Sequence, residues 1–367
     1  MKFAKDTRGI ERYIAMDIHK EYVLMGGQNA RQEWVMQPRR VGVEKMREWA
    51  AANLRRGDAV ILETTTNVWD VYDIVAPLVN YTVVAHAGKV RQIAEARVKT
   101  DKKDIERLIC LLIADIVPEV WVPPTHVREL RGMISYRNRL VKTSTMIRNR
   151  LQSLIHRHNL ILPKGALTDQ AWWEAQRLSP LEKIQIHQEI ALLEQIDKHK
   201  AEVDAELARQ SLGEVWGKSA MRLLQLSGFG VIITMTILSA IGDIFRFESS
   251  NKLVGYSGLG AGVHDSGKEH IEKHITKEGR KELRWAGGRA CRDPGGSRVA
   301  RHPHFAVLER AVREVPEADA QTATGDRCDR TQTIGGRLAR ADERRNRCPR
   351  ERRRPGVQDV GLGVGPE

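Results

Sequence analysis

The chain has 367 residues, 41% of them hydrophobic, and a formal net charge of +13, with a pI near 9.7. That length accommodates two or three domains around at least one sizeable core, and the cationic surplus points to a polyanionic partner, either nucleic acid or an anionic membrane surface. The longest apolar run, VIITMTILSAIG at 231–242, falls short of the roughly twenty residues that span a bilayer and reads as a buried helix. The opening MKFAKDTRGIERY lacks an apolar h-region, so no secretory signal is expected. Cys110, Cys291, Cys328 and Cys348 form no CxxC pair, which argues against a zinc site or a disulfide framework. The working expectation is a cytoplasmic protein that meets nucleic acid.

In chain order, YIAMDI (13–18) reads as a short apolar strand ending in an acid, with EYVLMGG (21–27) and EWVMQP (33–38) as hairpin partners. GVEKMREWAAANL is helical, DAVILE (58–63) is a second strand ending in an acid, and NVWDVYDIVAPLV is helical again. YTVVAHA (81–87) is a third buried strand. DKKDIERLICLLIADI is a helix with Ile105, Leu108, Ile109 and Leu112 on its apolar face. Strands followed by alternating helix and strand suggest a mixed sheet with helices on its faces. VPPT at 122–125 ends this unit. A long helix is expected from about His126 to His158, with Leu130, Ile134, Leu140, Ile147, Leu151 and Leu154 as its stripe and arginines on the other faces. LPKGAL breaks it, and SPLE (179–182) is a capping box that opens a second long helix through about Gln210. Two such helices read as an antiparallel coiled-coil arm or a plain helical bundle. From Met221 to about Ala286 comes a compact unit in which LLQLSGFGVIITMTILSAIG is helix, glycine turn and helix; the turn presents backbone N–H groups to a phosphate or simply packs.

After Ala286 the composition changes. The segment contains no lysine, is rich in Arg, Gly and Pro, and holds Cys291, Cys328 and Cys348. Two readings stand: a disordered basic tail that touches nucleic acid, or a segment read in a shifted frame of a G/C-rich gene. The loss of lysine favours the second.

The acids of the first unit fall at element ends. Asp17 closes the first strand, Glu63 closes a central strand, and Asp101 and Asp104 open the later helix in VKTDKKDIERL. Spacing of three puts the last two on one helix face. A solvated helix start explains those two alone; four acids in this order suggest a carboxylate cluster. Such a cluster repels itself unless cations neutralise it, and two divalent ions about 4 Å apart would both neutralise it and clamp a phosphodiester. Mg²⁺ suits the site because it takes hard oxygen ligands and keeps phosphate and water in its shell. Lys102 and Lys103 then read as phosphate contacts. His19 beside Asp17 reads as an extra catalytic group or as a conformational or phosphate contact.

YIAMDIHK, ILETTTNVW and VKTDKKDIERL, followed by SGFG, FESSNKLVGYSGLGAGVHDSGK and ITKEGRKELRWA, closely resemble the DEDD transposases of the insertion-sequence-110 type. The resemblance runs from about Tyr13 to Ala286. It departs from the family pattern in the run Thr64, Thr65, Thr66 after Glu63, where a glycine turn is usual, and in SGFG where the family has PGIG. It implies an α/β RNase H-like (RuvC-like) domain over 1–122, a helical coiled-coil arm over 123–212, a mainly α C-terminal transposase domain over 213–286, and the irregular tail over 287–367. By position, the metal-binding catalytic tetrad is Asp17, Glu63, Asp101 and Asp104, holding two Mg²⁺. The serine nucleophile is Ser266 in HDSGKEH; on residues alone a Ser-Gly pair is an ordinary turn, and Ser249, Ser250 and Ser257 compete with it.

The implied reaction is cutting and rejoining of DNA through a covalent phosphoserine link, with a structured guide RNA from the same element choosing the sites. The implied partners are DNA, that RNA and further copies of the chain in a dimer or tetramer, with no membrane, in the cytoplasm and associated with the prokaryotic nucleoid. Arg131, Arg139, Lys268, Lys273, Lys277 and Lys281 are candidate backbone contacts, or an ordinary solvated charged face. Two other readings follow. One is a RuvC-type junction-resolving nuclease with water as nucleophile. The other is a nucleic-acid-binding remnant made inactive by the altered tail.

Overall fold

A computed structural model describes residues 9–93, 100–226, 228–259, 261–266 and 269–290; the tail readings from 291 onward lie outside the described residues. Strand β1 (Arg12–Ile18) pairs antiparallel with β2 (Tyr22–Gln28), which pairs antiparallel with β3 (Trp34–Gly42). On its other side β1 runs parallel to β4 (Asp58–Glu63), and β4 parallel to β5 (Tyr81–Ala85). The sheet order is β3-β2-β1-β4-β5. This is the mixed sheet expected from the strand signals.

Helices cover both faces, which is why β1 and β4 are almost continuously apolar. On one face, Met46 and Ala50 of α1 (Met46–Asn53) and Val68, Val71 and Val75 of α2 (Val68–Val75) pack on Ile14, Met16, Val60, Leu62 and Val84. On the other, Val90 of α3 (Ala87–Ile93) and Ile105, Leu108, Ile109 and Leu112 of α4 (Asp101–Ile113) pack on Tyr13, Ala15, Ala59, Ile61 and Val83. Period-two alternation separates the two sets. Ile14, Met16, Ile61 and Leu62 are wholly buried, each contributing about 2 kcal/mol. Gly26, at an irregularity in the β2–β3 register, lets α4 and β3 approach closely. A Cβ there would lie 2.9 Å from the Trp34 ring and 3.1 Å from Ile105.

Beyond the sheet, α5 (Thr125–Arg157) and α7 (Pro180–Gln210) run antiparallel. Leu140, Ile147, Leu151 and Leu154 meet Ile186, Ile190, Leu193 and Ile196 along their shared seam. The flanking ion pairs Arg137–Asp204, Arg148–Asp197 and Arg150–Glu189 and the His158–Glu182 hydrogen bond descend α7 as they ascend α5. Ser179 and Glu182 form the capping box that starts α7. The connection contains a short helix the sequence did not announce, α6 (Gln170–Glu174), whose Trp173 is buried and donates its Nε1–H to Leu167 O.

The last described region gathers around α9 (Val231–Ile241), which is buried without a break from Thr234 to Ile241. It is packed by α8 (Gly217–Leu224), by Val127, Leu130 and Ile134 of α5, and by Leu253 of α10 (Ser250–Ser257). Leu283 and Ala286 of α11 (Lys281–Ala290) complete the packing. Apolar residues on every side mark a helix that has no solvent face. Its last carbonyls are capped by arginines. Arg131 donates to Ser239 O at 2.7 Å and Ala240 O at 3.0 Å, and Arg246 donates to Ile241 O at 2.9 Å. The Arg246 guanidinium also lies 4.3 Å from the Trp121 ring centroid and 4.4 Å from that of Tyr256. Burial, then the neighbouring Arg280, bring the Arg131 pKa down to about 10. Burial alone would raise the Tyr256 pKa, but the Arg280 and Arg246 guanidiniums carry it below the usual phenol value. Between α10 and α11, where the sequence reading has only a Ser-Gly turn within a mainly α domain, the chain forms a hairpin of β6 (Ala261–Ser266) and β7 (Glu269–Ile275).

Candidate active site

The parallel register of β1 and β4 runs from Arg12 opposite Asp58 to Met16 opposite Leu62. One residue past that last pair come Asp17, the penultimate residue of β1, and Glu63, the last of β4. Asp17 follows Tyr13 and Ala15 on the α4 face, and Glu63 follows Ala59 and Ile61 on the same face. Two carboxylates thus share one edge and one face of the sheet, both part-exposed. Neighbouring strands lie about 4.8 Å apart, so the pair is held together by the backbone ladder, whatever their mutual repulsion.

The loops behind them are tied. Thr64 N donates to Ala85 O, and the Thr64 hydroxyl accepts from Ala87 N at 3.1 Å. Asn67 donates through Nδ2 to His19 O at 3.2 Å, joining the loop after β4 to the loop after β1. The threonine run therefore closes its turn with hydrogen bonds instead of glycine, and Glu63 stays at the strand end. His19 Nε2 lies 3.2 Å from Asp17 Oδ2, though not aligned as a hydrogen bond. The His19 ring is stacked on Tyr22, with centroids 4.5 Å apart and planes at 27°. The Arg40 guanidinium lies 4.8 Å from the Tyr22 ring centroid.

Asp101 is the first residue of α4, and its side chain lies outside the described residues. Thr100 caps the helix by accepting from Lys103 N, and Asp104 N donates to Thr100 O at 3.0 Å. The Asp104 carboxylate accepts from Arg107 Nη1 at 3.2 Å. Among the described residues no three His, Cys, Asp or Glu side chains gather as a metal-holding group. Asp17 and Glu63 form a pair of hard oxygen donors on one edge, the donor chemistry that fits Mg²⁺. The buried His19 Nε2, with no aligned partner among the described residues, marks an unmet polar demand at the same place.

Ser266 ends β6 opposite Glu269 of β7; its side chain, that of Lys273 and all of Lys268 lie outside the described residues. The base of this hairpin is closed by Lys277 N donating to Gly258 O and Arg280 N donating to Tyr256 O. Gly258 (φ +69°) and Gly279 (φ +130°) sit in the left-handed region, where a Cβ on either would run into backbone carbonyl oxygen. Of the competing serines, Ser257 is buried, donates to Val254 O at 2.7 Å and accepts from Leu259 N, so it serves as a helix end. Ser249 is the N-cap residue of α10, and the Ser250 side chain lies outside the described residues.

The candidate cations differ in what they already hold. Lys102 Nζ lies 5.5 Å from the Trp34 ring centroid and Arg139 lies 5.6 Å from that of Tyr136. Arg131 is committed to the α9 carbonyls. Lys103 and Lys281 are exposed. Lys277 has φ +57° at the hairpin base. Sequence reasoning passed over Tyr22 and Arg40. Their signal was register: Arg40 pairs with Leu24, and Leu24 with Asp17, on one transverse row of the sheet.

Residues 220–291, which include the hairpin and Ser266, match the profile of the transposase IS116/IS110/IS902 family. The chain is 28% identical over 219 residues to a putative transposase, y4qE, of Sinorhizobium fredii (strain NBRC 101917 / NGR234), covering 59% of this chain and 53% of that protein. It is 24% identical over 163 residues to the transposase for insertion sequence element IS1111A of Coxiella burnetii (strain RSA 493 / Nine Mile phase I), covering 43% of this chain and 44% of that protein. The chain thus spans about half the length of the curated relatives it matches. These matches bear out the resemblance to transposases of the insertion-sequence-110 type.

Proposed function

We propose that this chain, an insertion-sequence transposase of the 110 type, cuts and rejoins DNA through Ser266 with the help of a carboxylate edge made by Asp17 and Glu63. The observation that carries the reading is that edge, with two acids at the ends of neighbouring parallel strands on the face that packs α4. The strand order β3-β2-β1-β4-β5 with helices on both faces supports an RNase H-like domain. Asp101 and Asp104 at the start of α4 complete a DEDD set by their positions in the sequence.

The Ser266 hydroxyl attacks a phosphodiester phosphorus. A new Oγ–P bond forms, the bond to the leaving sugar oxygen breaks, the serine proton departs and the leaving oxygen takes one up. Attack by a sugar hydroxyl on the phosphoserine reverses these changes and frees Ser266, so the bond energy is kept for rejoining. Asp17 and Glu63, with Asp101 and Asp104, would hold Mg²⁺, which when bound polarises phosphoryl oxygens and stabilises developing charge. The carboxylates also orient the phosphate edge, and His19, stacked on Tyr22, lies beside the Asp17 carboxylate. The net charge of +13 suits a backbone-gripping protein whose site choice is delegated to a guide RNA, acting as a homo-oligomer on paired DNA sites.

The test is a denaturing gel of protein, Mg²⁺, flanking RNA and labelled suicide-substrate DNA. A covalent adduct is expected in the wild type and absent in Ser266→Ala and Asp17→Asn. Cleavage without adduct would replace this reading with hydrolytic resolution. Binding with neither would leave a nucleic-acid-binding remnant.

A further inference from the structure

At the outer edge of the sheet, where β3 leads into α1, a surface cleft of about 500 Å³ is lined by Arg40, Gly42, Glu44, Lys45, Glu48 and Trp49, with Val41 beside them. That volume lies in the ~300–1,000 Å³ range of ligand sites. Its chemistry is mixed. Arg40 and Lys45 are cations, Glu44 and Glu48 are carboxylates, and Trp49 brings an aromatic ring. A bare anion is a poor match, since two carboxylates face it. A lipid tail is a poor match, since the lining is charged. A nucleotide unit matches all three parts: phosphate for Arg40 and Lys45, base amino groups for the glutamates, and a base face or acceptor for the indole.

Two further observations point the same way. The Trp49 Nε1–H is buried and has no hydrogen-bond partner among the described residues, so it is a donor that a ligand acceptor would satisfy. Arg40 also connects the cleft to the acidic edge. It shares the transverse row with Leu24 and Asp17, two strand spacings or about 10 Å from Asp17 along that row. Its guanidinium rests at Tyr22, whose ring stacks on His19 next to Asp17. A strand whose phosphodiester sits at Asp17 and Glu63 would bring a neighbouring nucleotide to Arg40.

We propose that this cleft is a nucleotide subsite for single-stranded nucleic acid running to the carboxylate edge, with Arg40 and Lys45 on the phosphate and Trp49 on the base. The inference rests on the reading of that edge as a nucleic-acid-processing site. Single-stranded DNA and guide RNA share this chemistry, and the test separates them.

Full-length protein is mixed with short single strands of one sequence, as DNA carrying 5-bromodeoxyuridine or as RNA carrying 5-bromouridine. After irradiation, crosslinked peptides are mapped by mass spectrometry, and affinity is measured against salt. A crosslink within residues 40–49 is expected; with DNA alone it assigns the cleft to a displaced DNA strand, with RNA alone to the guide. Lys45→Gln and Arg40→Gln should each lower the slope of log affinity against log salt by about 0.7. Trp49→Phe, which keeps an aromatic face but loses the pyrrole ring and its N–H, should weaken binding about fivefold. Crosslinks confined elsewhere, with binding unchanged in Lys45→Gln and Trp49→Phe, would overturn the subsite. In that case a Ser266 adduct in the same preparation leaves the proposed function standing. A protein that binds neither strand and forms no adduct overturns both.

Discussion

The carboxylate edge and the serine hairpin are built on opposite principles. Asp17 and Glu63 lie at the C-terminal ends of strands buried on both faces, one residue past the last β1–β4 pair, so their spacing is set by that ladder and by the cores on either side. Ser266 ends a strand of a two-stranded hairpin whose anchorage, among the described residues, is at its base, where Gly258 and Gly279 press backbone against backbone. A two-stranded ribbon is only marginally stable alone. The acids are therefore placed by the fold as a whole, and the serine, among the described residues, by one joint. Groups that hold charge gain from rigidity, and under the proposed function a nucleophile that reaches, bonds and releases a strand would gain from being carried on a limb.

The contrast breaks most decisively at Asp58. Its carboxylate, fully buried, takes two bonds from Arg12 at 2.6 and 2.7 Å and one from Arg55 N at 2.8 Å, at the far end of the β1–β4 row. Asp58→Ala strands the mostly buried Arg12 charge and is expected to cost about 3–5 kcal/mol in urea unfolding. A cost under about 1 kcal/mol would show that this row does not lock the edge. Gly279→Ala sharpens the contrast from the other side. Strain of about 1–3 kcal/mol should fall on the hairpin base, abolishing the Ser266 adduct while DNA binding and the main unfolding transition persist. Arg246→Lys loses the planar stack on Trp121 and Tyr256, an expected loss of about 1–2 kcal/mol read as a lower melting temperature with the sheet's near-ultraviolet signal intact. Ser179→Ala removes one half of the α7 capping box and should cost about 1 kcal/mol of arm stability, leaving both regions functional.

The smallest effect is a pH dependence in the arm. The His158 hydrogen bond, then bonds from Ser179, hold the Glu182 carboxyl below its usual pKa. A depressed carboxylate stabilises the fold above its unfolded value of about 4.3 and loses that contribution as pH falls through the lower folded value. Acid titration below pH ~4 should therefore loosen wild-type α7 more than Glu182→Gln.

The centre of the sheet was legible because β1 and β4 carry apolar runs that reach an acid at or next to the strand end. DAVILE spans the same residues in sequence and structure. The long helices were legible from their stripes, and SPLE from its capping box. The hairpin was not. EHIEKHI interleaves charge with isoleucine, and the preceding segment offers only Ala261 and Val263 as apolar residues among its glycines and polar side chains, so no period stands out. The Tyr22–Arg40 relation was invisible for another reason. Residues eighteen positions apart become neighbours only once β3 has paired with β2. Arg131 shows the converse limit. A cation on a basic helix looks available for phosphate in sequence, yet its guanidinium is held by the C-terminal carbonyls of α9.

That grip has a mechanical consequence. Arg131 sits within two turns of the start of α5, a helix of 33 residues and so about 50 Å long. It is fastened bidentately to the end of a helix that is itself buried on all sides. The lever is welded near its fulcrum. Load applied at the far tip reaches α9 as torque with little lost motion, and swinging the arm as a rigid rod requires breaking the weld or bending the rod.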